Sequence, residues 1–320
     1  MAQVDFIVPC YNERESIGAL YEAFVSAFDK SGYDWRLILV DDGSSDGSFD
    51  LIAELAHAHK NIHAIQFSRN FGKEAAIMAG LAASTGEYAG IIDADLQQPP
   101  AIARQMLDKL VANDDLDCVA AYQENRKEGA LVRALKSSFY KVFAKAARSD
   151  IIADASDFRV FRRRVAQALL SMPEYHRFSK GMFAWVGFNT YAFPYTPDER
   201  TAGTSKWSIA SLFKYAFEGL LSFTTRPLHF ITVIGFLVFA IALIYFVVLF
   251  VRTIVNGVDV PGYASTFGLV LLMGGGQFLA IGIIGEYLAR AYIQGKNRPI
   301  YVVRQELNAP NDQGEDLQNS

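Results

Sequence analysis

Along the first 160 residues, apolar and polar positions alternate between two rhythms. Short apolar runs, Val4 to Val8, Trp35 to Val40, Ile62 to Phe67, Tyr88 to Ile92 and Cys118 to Tyr122, predict buried strands. Between them the period lengthens. From Ser16 to Lys30, Ile17, Leu20, Phe24 and Phe28 share one helical face. Ser48 to Ala58 and Lys73 to about Ala83 read as further helices. Pro99-Pro100 opens another, to about Val111, because proline suits a first helical turn. Strands alternating with helices predict an α/β fold with a doubly wound, mostly parallel sheet.

The pattern changes in the C-terminal third. Phe230 to Val251 and Tyr263 to Gly285 carry no charge, and each is long enough as a helix for a hydrocarbon core of roughly 30 Å. They predict a two-helix transmembrane hairpin over about 229–252 and 263–288. Gly274, Gly275, Gly276, Gly282 and Gly285 would let the spans approach closely. Lys206, Lys214 and Arg226 precede the first run; Arg290, Lys296, Arg298 and Arg304 follow the second. Positive flanks belong in the cytosol, so both ends of the hairpin, and residues 1–205 with them, are expected there. Leu131 to Ala147 and Trp207 to Phe223 read as amphipathic helices, the first basic, and the second, within 206–228, an interfacial lead-in to the membrane. Residues 291–320 are left as a cytosolic tail, polar and acidic after Asn308.

Composition narrows the class. A net charge of −4 speaks against a nucleic-acid binder driven by bulk charge. The two cysteines, Cys10 and Cys118, match no metal spacing and fit a reduced cytosolic domain. The N-terminus, Met1 to Val8, reads as a strand rather than a leader. No glycine-rich dinucleotide or P-loop motif follows the first strand, and no nucleophile-elbow or zinc-protease motif occurs.

The chemistry gathers in loops after strands: Asn12-Glu13, Asp41-Asp42, and Asp93-Ala94-Asp95. A parallel sheet brings all three to one edge, where ligands of such sheets collect. Hard cations, Mg²⁺ or Mn²⁺, bind through one or two carboxylates plus substrate phosphates. With Arg69 and Lys73 nearby, the edge reads as a nucleotide-plus-metal site. Asp41 or Asp42 would accept from a base or ribose, Tyr11 would pack on a base, and Asp95 would hold the cation.

Five motifs then carry a resemblance: Pro9-x-Tyr11-Asn12-Glu13, Asp41-Asp42-Gly43-Ser44, Arg69-Asn70-Phe71-Gly72-Lys73, Asp93-Ala94-Asp95-Leu96-Gln97 and Asp157-Phe158-Arg159. Together they resemble family 2 glycosyltransferases with a GT-A (Rossmann-like) fold, and more narrowly the polyprenyl-phosphate glycosyltransferases. Ser68 to Glu74, Met172-Pro173-Glu174, Lys180-Gly181, Trp185-Val186-Gly187 and Gly285 to Arg290 bring the chain nearest to bacterial bactoprenol glucosyltransferases of the GtrB type.

The resemblance implies inverting, metal-dependent transfer of glucose from UDP-glucose to undecaprenyl phosphate at the inner membrane of a bacterium, for O-antigen modification. It implies Pro9, Tyr11, Glu13, Asp41 and Asp42 at the nucleoside, with Lys73, Asp93, Ala94 and Gln97 also on the nucleotide sugar. Asp93 and Asp95 would lie at the metal. Arg126, Arg133 and Ser137 would hold the acceptor phosphate, and Asp157 would be a general base or a positioning residue. Gln123 departs from the pattern, since a basic residue is expected there. The resemblance also implies a homo-oligomer, up to a tetramer, and a separate flippase for the glycolipid. Two other readings stand beside it: the same reaction with N-acetylglucosamine or amino-arabinose, and a non-catalytic membrane scaffold that binds a nucleotide sugar.

Overall fold

The computed structural model describes residues 2–123, 155–172, 174–175, 177, 179–195, 226–256 and 262–309. The chain divides into two units, Met1–Phe213 with Arg298–Ser320, and Lys214–Asn297. Among the described residues the first unit holds eight strands: β1 (Gln3–Cys10), β2 (Asp34–Asp41), β3 (Ile62–Phe67), β4 (Tyr88–Ile91), β5 (Cys118–Gln123), β6 (Ala155–Arg162), β7 (Thr190–Tyr195) and β8 (Val303–Leu307). Its described helices are α1 (Arg14–Phe28), α2 (Ser48–Ala58), α3 (Lys73–Ala83), α4 (Pro100–Val111), α5 (Arg163–Leu170) and α6 (Ser179–Val186). The second unit holds α7 (Arg226–Asn256) and α8 (Tyr263–Gly295).

The strand order is β7-β5-β6-β4-β1-β2-β3-β8. The left-to-right run β4-β1-β2-β3 is parallel, as the alternation predicts. The sheet is nevertheless mixed. β6 wedges antiparallel between β4 and β5, and β8 runs antiparallel along β3. The first four predicted strands therefore sit together, while the fifth, β5, is separated from β4 by a strand some thirty residues further along the chain. Strand periodicity says which face a residue takes but not which neighbour it pairs with.

The core lies between the sheet and its helices. Phe6 on β1 meets Phe24 and Phe28 of α1 at ring separations of 5.0 and 5.1 Å. Each such buried ring contributes about 1.5–3 kcal/mol relative to exposure. Among the buried charges, Asp5 accepts from Arg36 and from the backbone of Thr85 and Gly86, which ties the start of β4 to β1.

The C-terminal residues do more than trail. Within 291–320, β8 pairs with β3 from Ala64 opposite Leu307 to Phe67 opposite Val303. His63 and Glu306 add a 2.7 Å contact. A short, charged run such as Val-Arg-Gln-Glu-Leu gives little periodic signal, so its pairing is decided by the sheet edge it covers.

The two apolar runs are single helices, α7 of 31 residues and α8 of 33. Counted over the described residues, however, no helix is long and apolar enough to cross a membrane. The expected helices over 131–147 and 207–223, and the chain after Asn308 beyond residue 309, lie outside the described residues.

Candidate active site

The carboxyl ends of β1, β2 and β4 meet at one edge of the sheet, and two of their loops are laced together. Asn12, in the left-handed region (φ 55), accepts from the backbone N–H of Ser45 at 2.9 Å. In return the N–H groups of Asn12 and Glu13 donate to the hydroxyls of Ser44 and Ser48, both at 2.9 Å. Asp46 closes the lattice by accepting from the N–H of Arg14 and of Ser48. These contacts turn the loop so that Tyr11 stands half exposed. Pro9 stays in β1, and Glu13 stands at the N-cap position of α1, its carboxylate accepting from the Ser16 hydroxyl rather than from the helix backbone.

The aspartates after β2 face inward. Asp41 is fully buried and accepts from the Ser44 backbone and the Gln66 side chain. Burial pushes its carboxyl above the usual range, against those hydrogen bonds. Asp42 accepts from the backbone N–H of Phe71 at 2.6 Å and of Gly72 at 2.9 Å. Its two oxygens thus hold the loop that leads into α3. Burial also raises Asp42, opposed by the same two donors. Gly43, at φ +72, permits this closeness, since a Cβ there would sit 2.6 Å from the Arg69 carbonyl carbon.

The next feature joins three elements. Lys73, the first residue of α3, places its ammonium 2.6 Å from Asp93 after β4 and 3.3 Å from Asp157 on β6. The antiparallel register explains the meeting. Ile91 stands opposite Arg159 at the end of the ladder, and Asp93 and Asp157 each lie two residues beyond that pair in the same direction. Burial alone would pull Lys73 down, but the two carboxylates hold its pKa well above the ordinary lysine value. Asp157 shows the complement. Burial would raise it, yet Lys73, Lys180 and Arg159 keep it below the usual aspartate range. Asp93 is raised, chiefly by burial, with Lys73 opposing. A carboxylate held ionised by three cations is a poor proton acceptor near neutrality, because the proton it would take is bound too weakly.

Gln98 orients Asp93, and the sequence motifs did not single it out. Its amide oxygen accepts from the Asp93 N–H at 2.8 Å and its amide nitrogen donates to the Asp93 carboxylate at 3.0 Å. Leu96 follows at φ 61, a left-handed conformation costing a branched residue roughly 1–2 kcal/mol. That turn projects Asp95 outward, where it accepts the backbone N–H of Gln97 at 3.1 Å. Ala94 is buried beneath. Glu74, next to Lys73, accepts from the backbone and hydroxyl of Ser179, tying α3 to α6.

Among the described residues no group of three or more His, Cys, Asp and Glu is assembled to hold a metal. Two carboxylates suffice where substrate phosphates complete the shell. Glu13 is raised by burial and by Asp95, Asp46 and Asp93, against the hydrogen bond from Ser16, so negative charge at this edge is in excess. With all-oxygen donors and Asp95 exposed, the site fits a hard divalent cation. The edge therefore brings together Pro9, Tyr11, Glu13, Asp41, Asp42, Lys73, Asp93, Ala94, Asp95, Gln97 and Asp157. Arg126, Arg133 and Ser137 lie outside the described residues.

Comparison with known proteins identifies the family. The sequence model of glycosyl transferase family 2 matches residues 5–170. CsbB of Bacillus subtilis (strain 168) is 40% identical over 309 residues, covering 96% of this chain and 93% of CsbB. The bactoprenol glucosyl transferase of Shigella phage SfV is 34% identical, covering 95% of this chain and 99% of its own. The prophage bactoprenol glucosyl transferase homolog of Escherichia coli (strain K12) is 35% identical, covering 94% and 98%. The chain belongs to glycosyl transferase family 2, is a transferase enzyme, and is similar along nearly its whole length to the bactoprenol glucosyl transferases.

Proposed function

We propose that the protein transfers glucose from UDP-glucose to undecaprenyl phosphate with inversion, at the cytosolic face of the inner membrane of a bacterium. The observation that carries this reading is Lys73 poised between Asp93 and Asp157 at the edge where the acidic loops meet. Lys73 stays charged at all physiological pH and offers a fixed cation to a diphosphate. Tyr11 presents an exposed ring for a base, and Asp41 a buried acceptor.

Bound at Asp95 and Asp93, a divalent cation would offset the charge of the diphosphate, a Lewis-acid contribution of several kcal/mol. The acceptor needs little help with its proton. A phosphate monoester has a second pKa near 6 and is mostly dianionic at pH 7. Its oxygen forms the new bond to the anomeric carbon from the face opposite the leaving group, while the bond from that carbon to the diphosphate oxygen breaks and UDP departs. Asp157 then serves as the partner that aims Lys73, rather than as the base. Arg126, Arg133 and Ser137 are assigned to the acceptor phosphate, since guanidinium groups grip phosphate bidentately.

The membrane assignment rests on α7 and α8. Among their described side chains, large apolar ones are exposed, including Phe236, Ile241, Ile254, Phe278 and Leu288. Exposed apolar side chains favour an apolar surrounding, and a polyprenyl acceptor supplies the reason for a bilayer. The hairpin orientation, the use of the product in O-antigen modification, a homo-oligomer and a separate flippase belong to the same reading.

The test uses purified protein in detergent with undecaprenyl phosphate, Mn²⁺ or Mg²⁺, and labelled UDP-sugars. Label is expected to move from UDP-glucose into the organic phase and to stop moving on EDTA. Transfer only from UDP-N-acetylglucosamine would replace the sugar. Binding of UDP-sugars without any transfer would favour the scaffold.

A further inference from the structure

The loop that delivers Lys73 is gripped from two sides. Asp42 holds it from β2. On the other side stands the segment that re-enters the catalytic unit after α8. Tyr301 stacks on Phe67 with ring centroids 5.0 Å apart and planes 13° from parallel. Phe67 meets Phe71 edge-on at 5.7 Å, and the guanidinium of Arg69 lies 4.2 Å over the Phe71 ring. The backbone repeats the link, since the N–H of Ser68 donates to the Val302 carbonyl at 2.9 Å. Ile300 and Tyr301 pack, with Phe71, against a small core of Ile38, Val40, Ile65, Phe67 and the α3 alanines Ala75, Ala76 and Ala79.

The segment is itself anchored. β8 is in register with β3, and the Asn308 amide donates to the carbonyls of Ala56 and Ile62 at 2.6 and 3.0 Å. Its position is therefore fixed by the sheet rather than by the loop it supports.

We infer that Tyr301 is a positioning residue for the loop Ser68–Lys73, holding Phe71 and the first turn of α3 so that Lys73 meets its two carboxylates. The inference rests on the reading that Lys73 faces the donor diphosphate. Phe71 and Gly72 are held by Asp42 from one side only. Without the ring of Tyr301, Phe67 loses the face it stacks on, and Phe71, which meets Phe67 edge-on, is held less firmly; the Asp42 contacts and the Ser68–Val302 hydrogen bond remain. A displacement of about 1 Å in a group that positions substrate can cost on the order of 10²-fold in rate.

The experiment compares the full-length protein with Tyr301→Ala and Tyr301→Phe. Two readouts are taken: amide hydrogen exchange of the donor-free protein, and UDP binding in the presence of Mn²⁺. In Tyr301→Ala, exchange at residues 68–73 is expected to quicken about tenfold while that of β1 and β2 stays put, as for a local opening. UDP is expected to bind about tenfold more weakly, a shift of roughly 1.4 kcal/mol. Tyr301→Phe, which keeps the stack, should match the wild type within about twofold on both readouts.

Exchange in 68–73 unchanged within about twofold in Tyr301→Ala would overturn the inference, and so would an equal quickening across β1 and β2, which marks general destabilisation. Where Tyr301→Ala does not fold, Tyr301→Leu decides between the same outcomes with an expected change of about threefold. A wild-type protein that binds no UDP and transfers no sugar would overturn the proposed function instead; the exchange of the donor-free loop still settles the role of Tyr301.

Discussion

Two acidic pairs end parallel strands in this chain, Asp41–Asp42 after β2 and Asp93–Asp95 after β4, and they meet different surroundings. Asp42 has both oxygens taken by backbone N–H groups of Phe71 and Gly72, and Asp41 is buried beside Ser44 and Gln66. After β4, Asp93 is aimed by Gln98 at Lys73, while Asp95 is turned outward by Leu96. The first pair is buried and holds the protein's own backbone, and the second includes an exposed carboxylate at Asp95. Strand-end position makes a carboxylate available to a ligand, and the donors already around it decide whether it is used for one.

The largest effect that would test this contrast is on Asp95. Asp95→Ala should lower transfer on the order of 10²–10³-fold. Its chemical denaturation should stay within about 0.5 kcal/mol of wild type, because the side chain is exposed. Asp42→Ala should behave in the opposite way. It strands two backbone donors, and a loss of about 2–4 kcal/mol in urea unfolding is expected. A stable but inactive Asp42→Ala, beside an Asp95→Ala of near-normal turnover, would reverse the assignment.

A smaller effect sharpens the structural half. Gly43→Ala puts a Cβ at positive φ against the Arg69 backbone. It should cost about 1–3 kcal/mol in unfolding and widen the gap that Asp42 bridges. Faster proteolysis within the Arg69–Lys73 loop would report the same movement.

The smallest effects are pH dependences of opposite sign. Asp41 is raised by burial, so its contribution is complete below the ordinary aspartate pKa of about 3.9 and is lost as pH rises through its folded value. Asp157 is held low despite burial by Lys73, Lys180 and Arg159, so its contribution is present above about pH 3.9 and lost as pH falls through its folded value. Asp41→Asn should therefore look relatively more favourable at pH 7 than at pH 4, and Asp157→Asn relatively less so, in denaturation midpoints. The same lowering predicts that kcat/KM of the wild type shows no acid limb from Asp157 above about pH 5. A limb near pH 6 that vanishes in Asp157→Asn would restore the general base.

Much of the site was legible because strand-end loops are local in sequence. Tyr11, Glu13, Asp41, Asp42, Lys73, Asp93 and Asp95 follow or precede apolar runs within a few residues, and parallel pairing of those runs fixes their common edge. Gln98, Tyr301 and the Asn12–Ser45 lattice were not legible. Each acts through a hydrogen bond or ring contact whose partner lies elsewhere in the chain or has an ordinary residue type. Asp157 was reached by resemblance, and its ionisation followed only from the cations that surround it.

The amino-acid sequence by itself determined the α/β alternation, the acidic strand ends, the two long uncharged runs and the family, since all of these are written in local pattern or in motifs. The tertiary structure alone decided that β6 enters antiparallel, that Lys73 lies between Asp93 and Asp157, and that the segment before β8 returns to stack Tyr301 on Phe67. Pairing across a sheet depends on which edges remain open when the chain collapses, and that choice is made by packing between residues far apart in sequence.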